Sequence, residues 1–305
     1  MVEKVSKIRK DGTVIPWEEA NVHILTHSLH YALAVFEGIR CYLGHDGKSA
    51  VFRLREHVDR LFDSAQIGNI KIPYSKREIS EACKETLQAN RLKEGYIRPI
   101  VFIGEGVMGV YPGDNPIQAR IITWSWGAYL GEGALEKGIR VKVSSYTRHH
   151  VNVMMTKAKI CGNYVNSVLA KREAMKMGYD EALMLDTEGY VSEASGENIF
   201  MAKNGVLKTT VLTSILPGIT RDSVIQIAKA RKITLLEERF TRDELYTAQE
   251  TFFTGTAAEL TPIREVDDRT VGNGKPGPVT RELQAAFFDI VKGKNPECRE
   301  WLDYL

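Results

Sequence analysis

The chain has 305 residues, beyond the roughly 250–300 at which one hydrophobic core stops growing, so two domains are expected. Hydrophobic residues make up 43% and charged residues 26%, a soluble globular composition, and 41 Lys+Arg against 39 Asp+Glu leaves net +2, which gives no electrostatic case for nucleic acid or an anionic membrane. Cys41, Cys83, Cys161 and Cys298 form no CxxC pair, so neither a disulfide framework nor a zinc site is indicated and a reducing cytoplasm fits; the N-terminal stretch MVEKVSKIRKDG lacks the apolar core of a signal peptide, and no apolar run approaches the ~18 residues of a membrane helix.

KVSKIRKDGTVIP reads as a short hairpin around Asp11 and Gly12. In the following VHILTHSLHYALAVFEGIRCYLG, His23, His27 and His30 have spacings of four and three that could share one helical face. Ile24 stands where an HExxH site needs its glutamate, and no carboxylate cluster completes the set, so no metal is expected. VFRLREHVDRLFDSAQIGN is a strand feeding a helix with Val58, Leu61, Phe62 and Ala65 at helical spacing; Arg60 beside that stripe reads equally well as a surface cation. SKREISEACKETLQANRL is an amphipathic helix with no chemistry assigned. GYIRPIVFI is a strand that puts Tyr96 and Arg98 on one face. An arginine leading into an apolar strand is costly to bury without an anion, so a carboxylate partner is expected there.

RIITWSWGAYLGEGALEKG runs from a strand into a glycine-rich connection. The expected organisation is a lobe over 1–125, a connecting loop over 126–133 and a second lobe over 134–305. After a strand in IRVKVSSYTRHH comes the stretch 156–169, TKAKICGNYVNSVL, in which Lys159 lies among small and apolar residues that end in Tyr164. Burial disfavours the ammonium form, so Lys159 is the candidate reactive amine, able to attack a carbonyl and form a Schiff base. Lys157 reads as a solvated lysine. A helix follows over 163–177, with Val165, Val168, Leu169, Arg172 and Met175 at helical spacing, and then a meander of short strands with turns at 187–189, 195–197 and 204–205. Glu193 precedes the 195–197 turn and Glu197 ends it, and the residues alone do not rank them. Pro217 and Gly218 precede a helix whose first amides, Ile219 and Thr220, form a ready anion site. The small-residue turn at Gly255, Thr256, Ala257 and Ala258 offers a second set of backbone donors.

HYALAVFEGIRCY, YIRP and GTAAELTP, in this order around Lys159, resemble the branched-chain amino acid aminotransferases, fold-type IV pyridoxal-phosphate enzymes, and the resemblance runs through nearly the whole chain. It implies an α+β fold: a smaller N-terminal α/β lobe, a larger C-terminal lobe built around a β-barrel-like core, and pyridoxal 5′-phosphate in the cleft between them. It implies that Lys159 carries the cofactor and shuttles the proton. Arg60, Ile219, Thr220 and Thr256 then hold the phosphate, Tyr164 bonds the phenolic oxygen, and Glu193, ranked above Glu197, pairs with the pyridine nitrogen. Tyr31, Phe36, Arg40, Tyr96, Arg98, Trp126 and Tyr129 line the substrate side, Ala257 and Ala258 receive the α-carboxylate, and Arg98 or Arg40 takes the second carboxylate of glutamate. Residues 107–110 resemble a loop that reaches a neighbouring subunit, which implies a homo-oligomer, with a dimer as the functional unit and a hexamer as a larger form. The implied activity moves the amino group between leucine, isoleucine or valine and 2-oxoglutarate, in branched-chain amino acid biosynthesis. A D-amino-acid aminotransferase or aminodeoxychorismate lyase of the same fold is the alternative within the resemblance. A catalytically silent cofactor carrier or a histidine-based metal protein is the alternative outside it.

Overall fold

The computed structural model describes residues 4–127, 129–131 and 133–305. Positions 128 and 132 of the expected connecting loop, and the first three residues of the N-terminal stretch, lie outside the described residues. Contacts divide the chain into two compact units, Met1–Gly127 with Ala158–Gly162 and Asp289–Leu305, and Ala128–Lys157 with Asn163–Phe288. The segment that carries Lys159 therefore packs with the first unit.

In the first unit, β1 (Lys7–Lys10) and β2 (Thr13–Pro16) form the hairpin expected around Asp11 and Gly12. Both turn residues have positive φ, 43° and 84°, as a two-residue hairpin turn of matching twist requires. The short helix α1 (His27–Tyr31) leads into β3 (Ala34–Phe36), β4 (Ile39–Leu43) and β5 (Ser49–Phe52), and the chain then enters α2 (Leu54–Ile67) and α3 (Lys76–Ala89). The apolar stripe of α2 faces inward: Val58, Leu61 and Ala65 are buried and Phe62 packs against them partly covered. Ser75 caps α3 through a reciprocal bond pair with Glu78. β6 (Gly95–Ile103) is the central strand, with β7 (Ile117–Trp124) along its whole length on one side. Among the described residues the sheet has eight strands, in the order C-terminal strand (Leu302–Tyr304), β5, β4, β6, β7, β1, β2, with β3 also on β6.

β3 and β4 share one edge of β6 and are interrupted at Glu37 and Gly38. Pro99 lies opposite that break. Proline has no N–H to offer a neighbouring strand, so the ladder keeps only the bond from the Glu37 amide to the Pro99 carbonyl, 2.9 Å. The break lets Glu37 turn its side chain into the core, where it is wholly buried.

The second unit begins with α4 (Ala134–Lys137), β8 (Ile139–Val143) and α5 (Tyr164–Lys176), continues through β9 (Glu181–Leu185), β10 (Val191–Ala194), β11 (Asn198–Lys203) and β12 (Val206–Thr209), and then α6 (Ile219–Ala230). It closes with β13 (Thr234–Glu237), α7 (Arg242–Tyr246), β14 (Glu250–Gly255), β15 (Glu259–Val266), β16 (Arg269–Thr270) and α8 (Pro278–Val291). The main sheet order is β10, β9, β8, β15, β14, β11, β12, β13. Five strand spacings separate β10 from β11 in that order, about 24 Å in a flat sheet, yet residues 195–197 alone join them and the Ala194 amide bonds the Glu197 carbonyl at 2.8 Å. A chain of that length reaches roughly 14 Å at most, so the sheet curls back on itself. This is the barrel-like core that the resemblance implies.

The helix expected over 163–177 is present as α5, but its buried face is Ser167, Ala170 and Ala174, while Val165, Val168, Leu169 and Met175 are exposed. Small residues let α5 lie close on β9, where Ala170 and Ala174 meet Ala182 and Met184. Among the described residues no helix is long and apolar enough to cross a membrane.

Candidate active site

Lys159 is held in the first unit by its backbone. Its amide donates to Ser64 Oγ on α2 at 2.9 Å, its carbonyl accepts from the Phe36 amide at 3.2 Å, and next to it Ile160 pairs with Val35 on β3. The side chain is half-buried, with Nζ 4.9 Å from the centre of the Phe36 ring. Lys157, read from the sequence as solvated, is instead half-buried, bonds the Leu212 carbonyl, and has its pKa lowered by burial.

The first unit also gathers a group of aromatic rings. Tyr96, Trp124 and Trp126 lie with ring centres 4.5 to 5.5 Å apart. Tyr96 reaches across the β3–β4 break, and a Cβ on Gly38 would lie 1.8 Å from its hydroxyl, so the glycine of FEGIR is required by that tyrosine. Arg98, on the same face of β6, stands 4.7 Å from the Phe36 ring, 5.5 Å from Tyr96 and 5.7 Å from Trp124. Its buried Nε has no hydrogen-bond partner. Arg40 differs: one of its Nη atoms donates to the Trp126 carbonyl at 3.2 Å. Tyr31 is more exposed and donates to the Met108 carbonyl at 2.9 Å, while His27 Nε2 bonds the Gly109 carbonyl at 2.9 Å, so α1 holds the loop that contains residues 107–110.

The three histidines separate. His27 is buried against that loop, His30 bonds the Ile24 carbonyl and His23 lies beside Glu105. α1 begins only at His27, so the spacing of four does not place His23 on its face. Among the described residues no group of three metal-ligating side chains occurs.

Arg60 also belongs to this unit. Its Nε and one Nη donate to the two oxygens of Glu37, at 2.7 and 2.9 Å, and His57 Nδ1 bonds the same carboxylate at 2.7 Å. Burial works against ionisation of Glu37, but the Arg60 charge and the His57 bond outweigh it and hold the carboxyl well below its ordinary range. Burial also lowers the His57 pKa, so the ring stays neutral beside the ionised carboxylate.

In the second unit the central contact is Glu193. It sits on β10, and its Oε1 lies 2.9 Å from an Nη of Arg148, with both side chains almost fully buried. Its Oε2 accepts from the Leu216 amide at 3.0 Å and from Asn198 at 3.3 Å. Asn198 also bonds the Leu216 carbonyl and packs so near Gly218 that a Cβ there would lie 2.0 Å from Asn198 Oδ1. Glu193 is thus tied to the segment that enters α6, and the amides of Ile219 and Thr220 stand just beyond it with no side-chain cap over them. Arg148 belongs to no motif in the sequence. It reaches towards Asn166 on α5, in the same turn as Tyr164, at 3.4 Å.

Glu197 occupies a different environment. Burial, together with the negative charge of Glu181, pushes its pKa up to about 8, while Glu181 itself is engaged by Lys171 and Ser195. The turn at Thr256, Ala257 and Ala258 joins β14 to β15, and a Cβ on Gly255 would sit 3.3 Å from the Glu197 side chain. The turn at 195–197 and the turn at 255–258 are therefore neighbours within this unit. Tyr129 is exposed, 6.0 Å from Lys171 Nζ.

The amino-transferase class IV family model matches residues 34–266. The chain is 52% identical over 301 residues to a branched-chain-amino-acid aminotransferase of Pseudomonas aeruginosa, covering 99% of this chain and 98% of that protein. Its structure is similar to the crystal structure of the Escherichia coli branched-chain amino acid aminotransferase, with a TM-score of 0.96, 46% identity, and coverage of 98% of this chain and 99% of the other. It is similar also to the branched-chain amino acid aminotransferase from Thermobaculum terrenum in its PLP-form, with a TM-score of 0.92, 34% identity and coverage of 98% of each chain.

Proposed function

The chain belongs to the amino-transferase class IV family, and from that membership we propose that it is a pyridoxal-phosphate transaminase moving the amino group between leucine, isoleucine or valine and 2-oxoglutarate, in branched-chain amino acid biosynthesis. The observation that carries this reading is Lys159, fixed by its own backbone between Ser64 and Phe36 with its amine 4.9 Å from the Phe36 ring, which Arg98 also faces. The naming of its relatives supports the branched-chain substrates and gives no support to the D-amino-acid or lyase alternatives.

The residues present fit the cofactor. Buried guanidinium atoms without partners, Nε of Arg98 and of Arg148, suit a ligand that brings anionic and acceptor groups. The uncapped amides at Ile219 and Thr220 and the Thr256 hydroxyl in the second unit, and the Arg60 guanidinium in the first, are groups of the kind that would hold a phosphate monoester. Bound pyridoxal phosphate supplies an electron sink that stabilises negative charge at the substrate α-carbon.

In this reading Lys159 Nζ anchors the cofactor and then takes the α-proton and returns it, acting as general base and acid. Glu193 would hold the protonated ring nitrogen of the bound group and Tyr164 its phenolic oxygen. The amides at Ala257 and Ala258 receive the α-carboxylate. Tyr31, Phe36, Tyr96, Trp126 and Tyr129 supply apolar surface for the aliphatic side chain and exclude water. Arg98, whose Nε lacks a partner, takes the second carboxylate of glutamate in preference to Arg40, whose guanidinium already bonds the Trp126 carbonyl.

A homo-oligomer and a cytoplasmic location complete the proposal. Support for the former is the exposure of Val107, Val110 and Tyr111 on the loop held by α1. Support for the latter is four cysteines that are all free. The test is a single-turnover screen of the holoenzyme with L- and D-amino acids added singly. Keto acid should form from leucine, isoleucine, valine and glutamate. Turnover confined to D-amino acids would overturn the reading.

A further inference from the structure

Glu37, His57 and Arg60 form a hydrogen-bonded group inside the first unit. Glu37 is 0% and His57 1% exposed, and the Arg60 side chain is 11% exposed. His57 and Arg60 are one turn apart on α2, so a single carboxylate from the β3–β4 break reaches both. The Gly38 amide adds a fourth donor to that carboxylate at 3.2 Å. Because an ionised carboxylate only accepts, His57 Nδ1 carries the proton and donates it.

Stability is a weak reason for such a group, since buried ion pairs often do no better than apolar residues of the same volume. Its geometric effect is definite. Arginine has five N–H bonds in one plane, and Glu37 engages two of them, on Nε and one Nη, which fixes the orientation of the other three. An arginine fixed in this way has less rotamer freedom to lose when an anion binds. The same carboxylate also cancels part of the guanidinium charge and so weakens its attraction for an anion. Positioning and charge cancellation predict opposite signs when Glu37 loses its charge.

We propose that Glu37, held by His57, is the positioning residue that orients Arg60 toward the phosphate of pyridoxal phosphate, so that affinity for the phosphate group depends on residues that never touch it. This rests on the reading of Arg60 as a phosphate ligand.

The experiment titrates the full chain, stripped of cofactor, with pyridoxal 5′-phosphate and separately with pyridoxal, following tryptophan fluorescence. The ratio of the pyridoxal dissociation constant to that of pyridoxal 5′-phosphate isolates the phosphate. Arg60→Ala should collapse that ratio; if it leaves the ratio unchanged, the reading of Arg60 fails and the inference falls with it. Provided Arg60→Ala lowers it, Glu37→Gln should reduce the ratio about 10–100-fold, the range typical when an outer partner that orients a ligand is lost, with pyridoxal affinity unchanged. A ratio that rises or stays level in Glu37→Gln overturns the inference alone, as does an equal loss for both probes. If near-UV circular dichroism shows that Glu37→Gln does not fold, His57→Leu decides by the same criteria. His57→Asn, which keeps a donor near the Nδ1 position, should restore the ratio.

Discussion

The Arg148 guanidinium lies 2.9 Å from the Glu193 carboxylate, and each side chain is 7% exposed. In this fold the two opposite charges compensate one another in part. Removing Arg148 takes an opposite charge away from the buried Glu193 carboxylate, which costs about 3–5 kcal/mol. Arg148→Met should therefore destabilise the cofactor-free chain by about that amount in urea unfolding. Arg148→Met combined with Glu193→Gln should recover most of the loss, because the stranded charge is gone. Additive losses in the double variant would show that the two side chains are not energetically coupled.

Lys159 is held by its main chain, and this separates its chemistry from the fold. Lys159→Ala keeps both the Ser64 and the Phe36 hydrogen bonds, so its unfolding free energy should change by less than ~1 kcal/mol. Transamination should vanish. Turnover that survives in a folded Lys159→Ala protein would remove the residue from its proposed role.

Much of this arrangement is legible in the sequence, for reasons that differ by residue. The helices α2 and α3 announce themselves by their amphipathic patterning, and the first hairpin by Asp11 and Gly12, because these signals are local. The orientation of α5 is not legible from its large apolar residues, since packing close to β9 selects alanine and serine for the buried face instead. Arg148 is hidden because its partner lies 45 residues further along the chain (193 minus 148), and sequence spacing carries no trace of such a pair. The Glu37 group is similar. FEGIR shows a motif, but the reason for its glutamate becomes visible only when Pro99 interrupts the ladder beside it. The C-terminal strand Leu302–Tyr304, paired with β5, is too short to show a period.

Arg98 should divide the two substrate classes. Its guanidinium stands among Phe36, Tyr96 and Trp124, a setting that accepts an aliphatic side chain without change. A hydrogen bond to a charged group contributes about 1.5–3 kcal/mol, so Arg98→Met should lower kcat/KM for glutamate and 2-oxoglutarate roughly 10–150-fold. Leucine should lose much less. Steady-state kinetics with both amino donors decides this, and equal losses would assign the second carboxylate to another residue such as Arg40.

Glu197 gives a pH dependence whose sign can be worked out. Burial and the adjacent Glu181 raise its pKa from 4.5 to about 8, so between those values the folded chain binds a proton there that the unfolded chain has released. Stability rises with pH only where the unfolded state binds more protons; here the folded state does, so this group's contribution is complete below pH 4.5 and is lost as pH rises through about 8. Glu197→Gln keeps the shape of the neutral carboxyl and removes the titration. Urea unfolding at about pH 5 and about pH 9 should show a smaller drop in stability for Glu197→Gln than for the parent chain. A drop of the same size in both would mean that Glu197 is ionised in the folded protein across that range, leaving it equal to Glu193 as a candidate for the ring nitrogen.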